Sequence, residues 1–153
     1  VGTLAALFAV LGAGCDREPA PTEAGATTEE LAQRAAATLG DERFATADLR
    51  RGEVLSLACQ VCHSLSPEEN IPIAPNLGGV FGRRAATLPG FAYSDALRAA
   101  DVVWSAETLD AWLAAPDTFV AGTTMVFAGY GSTSDRRDLI AYLALATRSA
   151  PAD

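Results

Sequence analysis

Cys59-Gln60-Val61-Cys62-His63 sets two thiols three positions apart with an imidazole directly after them. A Cys-x-x-Cys-His run marks covalent attachment of a c-type haem. Each thiol can add to one vinyl group of a porphyrin, and the two-residue spacer sets their separation. The adjacent histidine can then supply an axial ligand to the iron. Two other uses of a Cys-x-x-Cys pair compete. A zinc site needs about four ligands, and only Cys59, Cys62 and His63 are clustered. A thioredoxin-like redox site requires strand–helix alternation, which the sequence lacks.

The second axial ligand has few candidates. The chain contains one histidine and one methionine, His63 and Met125, so ligation by two histidines of this chain is impossible. Met125 sits in an apolar loop bracketed by Gly122 and Gly129. A thioether is a soft, weak ligand that suits low-spin haem iron and raises its potential. A lone methionine also serves as core filler. The glycine-bracketed loop position favours the ligand reading, with a sixth site open to a gas or peroxide as the alternative.

The 153 residues suit one domain with some excess, and half of them are apolar. Nineteen acids against eleven bases give a formal charge of −8, and every base is arginine. An acidic chain without a basic patch argues against nucleic acid as a partner.

Val1–Gly14 is apolar and uncharged. It is shorter than the roughly 20 residues that span a bilayer and matches the apolar core of an export signal. No positive region precedes it, so the expectation is a fragment or a non-standard start at Val1. Ala13-Gly14-Cys15 is similar to a bacterial lipoprotein cleavage site, which makes Cys15 a candidate for lipidation. The departure is Gly12, where an aliphatic residue is usual. Residues 1–15 are thus expected to be a signal, lipid-anchor or membrane-anchor segment. Residues 16–46 read as an acidic Pro/Ala-rich linker. Within it Thr28–Leu39 can form a short helix, with Thr28 as its cap, Gly40 as its end and only weak docking through alanines.

Residues 47–150 read as the haem domain. A helix is expected over Asp48–Ala58, with Leu49, Gly52 and Leu55 on one face. Gly52 costs about 1 kcal/mol in a helix interior, which predicts that another element approaches closely there. The natural partner is a last helix over Asp135–Thr147, capped by Ser132 or Ser134, with Leu139, Tyr142, Leu143 and Ala146 on one stripe. Between them, Tyr93 to Ala100 suggests a short helix. Ser105 caps another over Ala106–Ala114 that buries Leu109, Trp112 and Leu113 and stops at Pro116. The glycines of residues 75–84 are expected to let backbone pack on a flat macrocycle. No strand run appears, so the fold class is all-α with substantial loop.

In sequence order, Cys59–His63, Pro75-Asn76-Leu77, Phe81-Gly82-Arg83, Pro89–Ala96, Trp104, Glu107-Thr108-Leu109, Gly122–Phe127 and Asp138–Leu143 resemble class I cytochrome c, in its mitochondrial-like group with bacterial relatives. The resemblance implies helices and loops wrapped around one covalent haem c, with the first and last helices of the domain crossing. It implies Cys59 and Cys62 as haem attachments and His63 and Met125 as iron ligands. Pro75 would accept the second imidazole N–H and fix the ring. Arg83, Tyr93, Trp104 and Thr123 match positions that bond or neutralise haem propionates, and Leu77, Leu113 and Phe127 match apolar walls. Leu97 and Trp112 depart from the family, which often has Asn and Tyr there.

The implied function is one-electron transfer without catalysis, between a quinol-oxidising cytochrome complex and a terminal oxidase or similar acceptor. The expected location is the periplasmic side of a bacterial inner membrane, reached through the N-terminus. Diffusing relatives meet acidic partners with lysines. Here residues 47–148 hold 11 acids and 8 arginines, a net of −3, so charge steering is expected to be weak and a tether would substitute for it. A peroxidase-like enzyme or a gas-sensing haem module with a labile Met125 would be the alternatives. The first would need a second histidine as distal base, which the chain does not offer, and the second would need an output domain, which the linker is too short to hide.

Overall fold

The computed structural model describes residues 26–69 and 71–148. Among them are six α-helices: α1 (Thr28–Leu39), α2 (Leu49–Gln60), α3 (Asp95–Ala99), α4 (Ala106–Ala114), α5 (Pro116–Phe119) and α6 (Thr133–Ala146). A 3₁₀ turn, Glu42–Phe44, follows α1. The described residues form no strand, only the isolated bridges Ile71–Ala74 and Arg84–Val103. The all-α expectation therefore holds. No described helix is long and apolar enough to cross a membrane. The expected signal or anchor segment, including Cys15, lies outside the described residues.

The frame is α2 packed on α6. Asp48 caps α2 by accepting the Arg51 N–H, and Ser132 caps α6 by accepting the Asp135 N–H. Each cap satisfies a backbone donor that the helix itself cannot. Leu139, Ile140, Ala141 and Leu143 of α6 are buried, as are Leu49, Gly52 and Ser56 of α2. The close approach expected at Gly52 is there: a Cβ on Gly52 would lie 2.1 Å from the Asp138 carbonyl oxygen and 2.7 Å from Tyr142 Cβ. Arg51 and Asp135 join the exposed edge of the pair by two hydrogen bonds of 3.0 Å.

Two features of the N-terminal region differ from expectation. The cap of α1 is Thr27, one residue earlier than Thr28. Thr27 has the extended backbone a cap needs, and it forms a reciprocal capping box with Glu30. The helix also docks firmly. Ala32, Ala35 and Ala36 are buried, and Phe44 in the following turn joins the same core. Alanine brings little apolar area, but its size lets α1 lie close on α6, where larger side chains would hold it off. Among the described residues, the packed core thus includes α1 and the turn after it.

Helix α4 spans the expected residues, with Ser105 and Thr108 in a capping box. Pro116 ends α4 and also opens α5 at its first turn, where a missing N–H costs nothing. Trp104, Trp112 and Phe119 form an edge-to-face series, with ring centroids 5.4 and 6.2 Å apart. They fill the core under the loops.

Candidate haem-binding site

Helix α2 delivers Cys59 in its last turn. The Cys59 carbonyl then accepts both the Cys62 N–H (3.1 Å) and the His63 N–H (2.8 Å). This turn fixes the two sulfurs and the imidazole relative to one another. Cys59 and Cys62 are free thiols, half-buried, with no disulfide between them. Burial pushes the Cys59 thiol up from its ordinary value. His63 Nδ1 lies 2.7 Å from the Pro75 carbonyl oxygen. Burial lowers the His63 pKa, against the opposing pull of that carbonyl. The ring is therefore neutral at pH 7, its Nδ1–H donates to Pro75, and Nε2 keeps its lone pair for a metal.

Met125 is half-buried in the loop between α5 and α6 and packs against the core. Its N–H donates to Thr123 Oγ1 at 3.3 Å, and the Thr123 N–H donates to the Val120 carbonyl at 3.1 Å. The far end of the loop is pinned more heavily. A Cβ on Gly129 would meet the Ala114 oxygen at 2.2 Å, and Gly129 has φ +88°, a conformation natural to glycine. The Tyr130 N–H donates to the Leu113 carbonyl (2.7 Å). Arg136, buried at the start of α6, donates to the carbonyls of Tyr130 (2.8 Å) and Gly131 (3.1 Å) while paired with Asp110 at 2.8 Å.

Three of the four residues matched to propionate positions come together. Main-chain bonds pair residues 82–85 with residues 102–104: Gly82 N–H to the Trp104 carbonyl (2.8 Å) and Trp104 N–H to the Arg83 carbonyl (2.9 Å). Arg83 and Trp104 are thus neighbours, and Tyr93 lies close enough to feel the Arg83 charge. Two arms of Arg83 already serve the backbone, donating to the carbonyls of Asn76 and Gly78 at 2.8 Å each. Thr123 lies on the Met125 loop, where its hydroxyl accepts the Met125 N–H. Of the residues matched to apolar walls, Leu113 is buried, whereas Leu77 and Phe127 are half-exposed.

The glycines of residues 75–84 need a different account from macrocycle packing in one case. A Cβ on Gly78 would sit 2.5 Å from Pro67 N, so Gly78 is small to admit the 67 segment. Gly79 N–H donates to the Thr147 carbonyl at 2.6 Å and anchors the loop to the end of α6.

The donors present fit a c-type haem. Two thiols and a tautomer-fixed imidazole lie in one turn. Phe81, Leu97, Met125 and Phe127 are partly buried apolar side chains, each packed against the core with part of its surface still uncovered. An apolar macrocycle is the natural cover for such a surface. Among the described residues no group of three or more His, Cys, Asp or Glu could hold a metal ion. Sequence reading missed Tyr130 and Arg136. Neither belongs to a spacing pattern: Tyr130 is part of the Met125 loop itself, and only the fold brings Arg136 to that loop.

No family model matches the chain. Individual relatives do. Cytochrome c2 of Rhodomicrobium vannielii is 39% identical over 101 residues, covering 66% of this chain and 81% of that protein. Cytochrome c of Chlamydomonas reinhardtii is 45% identical over 101 residues, 65% of this chain and 90% of its own length. Among solved structures, cytochrome cH from Methylobacterium extorquens is 39% identical with a TM-score of 0.58, covering 63% of this chain and 97% of that one. Relatives at this identity and coverage share the haem attachment as well as the fold. The chain belongs to the class I cytochrome c family, and is an electron-transfer protein, not an enzyme, that carries one covalent c-type haem.

Proposed function

We propose that this cytochrome carries electrons from a quinol-oxidising cytochrome complex to a terminal oxidase or similar acceptor, on the periplasmic side of a bacterial inner membrane, tethered through its N-terminus with Cys15 as the candidate lipidation site. In this reading Cys59 and Cys62 bond the haem, and His63 and Met125 are its axial ligands. Pro75 orients the imidazole. Arg83, Tyr93, Trp104 and Thr123 serve the propionates, and Leu77, Leu113 and Phe127 limit water. When bound, the haem supplies a one-electron couple whose potential a His/Met ligand pair raises.

The chain's contribution is to hold the ligands still and to present an edge to partners. The Pro75 carbonyl keeps His63 in one tautomer, and the backbone pins at Gly129 and Tyr130 confine the Met125 loop. A fixed ligand set keeps rearrangement on electron transfer small.

The observation that carries the docking model is where apolar side chains reach solvent. Val61, between the two thiols, is 74% exposed. Ile73, two residues before Pro75, is 67% exposed, and Val126, beside Met125, is fully exposed. Val54 and Leu57, seven and four residues before Val61, are exposed on α2 at helical spacing from it. Exposed large apolar groups gathered beside site residues mark contact surfaces better than scattered ones do. With no lysine in the chain, docking through these groups depends little on long-range charge. The expected result is an electron-transfer rate to the oxidase that changes by less than about twofold between low and physiological salt. Charge-steered pairs lose on the order of tenfold or more over such a range. A steep fall with salt would refute apolar docking.

A further inference from the structure

The Met125 loop, residues 121–131, has no helix or strand of its own. Its pins at Gly129, the Tyr130 backbone and Arg136 all run to α4 or α6. One bond of a different kind crosses to the helix that carries Cys59. The Tyr130 hydroxyl donates to the Leu55 carbonyl at 2.9 Å, across 75 residues of sequence. In an α-helix that carbonyl also faces the N–H of the residue four places on, which here is Cys59. The Tyr130 ring packs edge-to-face on Phe127, with centroids 5.1 Å apart, and Phe127 is two residues from Met125. Tyr130 also lies within electrostatic reach of the Cys59 sulfur. One side chain thus touches both segments that bear the site: the loop through Phe127, and α2 through Leu55.

We propose that Tyr130 is a positioning residue whose hydroxyl clasps the Met125 loop to the Cys59-bearing helix and so holds the thioether in place against external ligands. This rests on Met125 as the sixth ligand. When the loop lifts away, the Leu55 carbonyl keeps its helical bond, and the phenol exchanges one acceptor for water. The clasp therefore acts on the open–closed equilibrium of the loop. A neutral hydrogen bond of net strength near the middle of its usual range shifts that equilibrium about fivefold. An added ligand that binds only when Met125 has left reads the shift directly.

The test is an imidazole titration of the ferric haem-loaded protein, followed by loss of the thioether-to-iron charge-transfer band. Three proteins are compared: the natural chain, Tyr130→Phe and Tyr142→Phe. Tyr130→Phe keeps the ring on Phe127 and removes only the clasp. Tyr142 lies on α6 with its phenol beside Ser56 of α2, so Tyr142→Phe removes a hydroxyl from the helix pair and leaves the loop alone. The expected result is imidazole binding about fivefold tighter in Tyr130→Phe and unchanged in Tyr142→Phe, with amide hydrogen exchange faster at 125–130 in Tyr130→Phe alone. Affinity of Tyr130→Phe within the error of the natural chain, with the band present in both, would overturn the clasp and leave Met125 ligation standing. Equal tightening in both variants would overturn it too, by showing a general loss of stability. A natural chain without the band would overturn Met125 ligation, and the clasp with it.

Discussion

Gly52→Ala is expected to destabilise the domain by about 3 kcal/mol, at the upper end of the usual cost of overpacking. The added Cβ would meet the Asp138 carbonyl oxygen at 2.1 Å, the Asp138 carbonyl carbon at 2.7 Å and Tyr142 Cβ at 2.7 Å. None of these atoms is the end of a flexible side chain that could swing aside. Relief requires α2 and α6 to separate, and their contact is the frame of the fold. Asp138 would also move while accepting the Asp48 N–H (3.1 Å) and pairing with Arg137 (2.7 Å), so the start of α2 is disturbed as well. The helix propensity gained, about 1 kcal/mol, is too small to compensate. Against a typical domain stability of about 5–15 kcal/mol, the loss is large. Denaturant unfolding should show a lower midpoint at unchanged slope. Gly40→Ala is the control. Nothing lies within 4 Å of its added Cβ, and only its φ of +65° is unfavourable, at roughly 1–2 kcal/mol. Equal losses at the two positions would show that the helix contact at Gly52 is not what makes glycine necessary there.

Cys59→Ser with Cys62→Ser is expected to abolish covalent haem completely. Serine preserves the turn, because the bonds that shape it run from the Cys62 and His63 N–H groups to the Cys59 carbonyl and involve no sulfur. What is lost is the thiolate chemistry that forms the thioethers. A denatured sample of the double variant should carry no haem stain, while each single variant keeps haem through its remaining sulfur at lower yield. Stain retained by the double variant would place the bond elsewhere, and Cys15 is the third cysteine of the chain.

Much of this molecule is legible in the order of its residues, for identifiable reasons. Helices α4 and α6 announce themselves through a Ser105 cap and the Ser132/Ser134 pair, each followed by an apolar stripe, both local signals. Gly52 is legible as a cost that demands a close neighbour. The attachment turn is legible because its chemistry requires a fixed spacing. The docking of α1 is not, since Ala32, Ala35 and Ala36 look the same in a weak helix and in a tight interface. Gly78 reads as a loop glycine until Pro67 is seen against it. Tyr130 is the plainest case. Its partner, Leu55, is 75 residues away and offers a backbone carbonyl, a group every residue has and no pattern can point to.

The central claim is a closed His63/Met125 ligand set on a covalent haem. It is tested most directly by the ferric absorption spectrum of the purified haem-loaded protein at neutral pH, beside that of Met125→Ala. The account predicts a thioether-to-iron charge-transfer band in the natural chain and none in the variant. The variant's potential should also fall by a substantial part of the roughly 0.8 V that axial ligands command. A natural chain without the band, or a variant that keeps it, would contradict the account: the first would mean an open or differently filled sixth site, and the second would mean that Met125 is not the ligand.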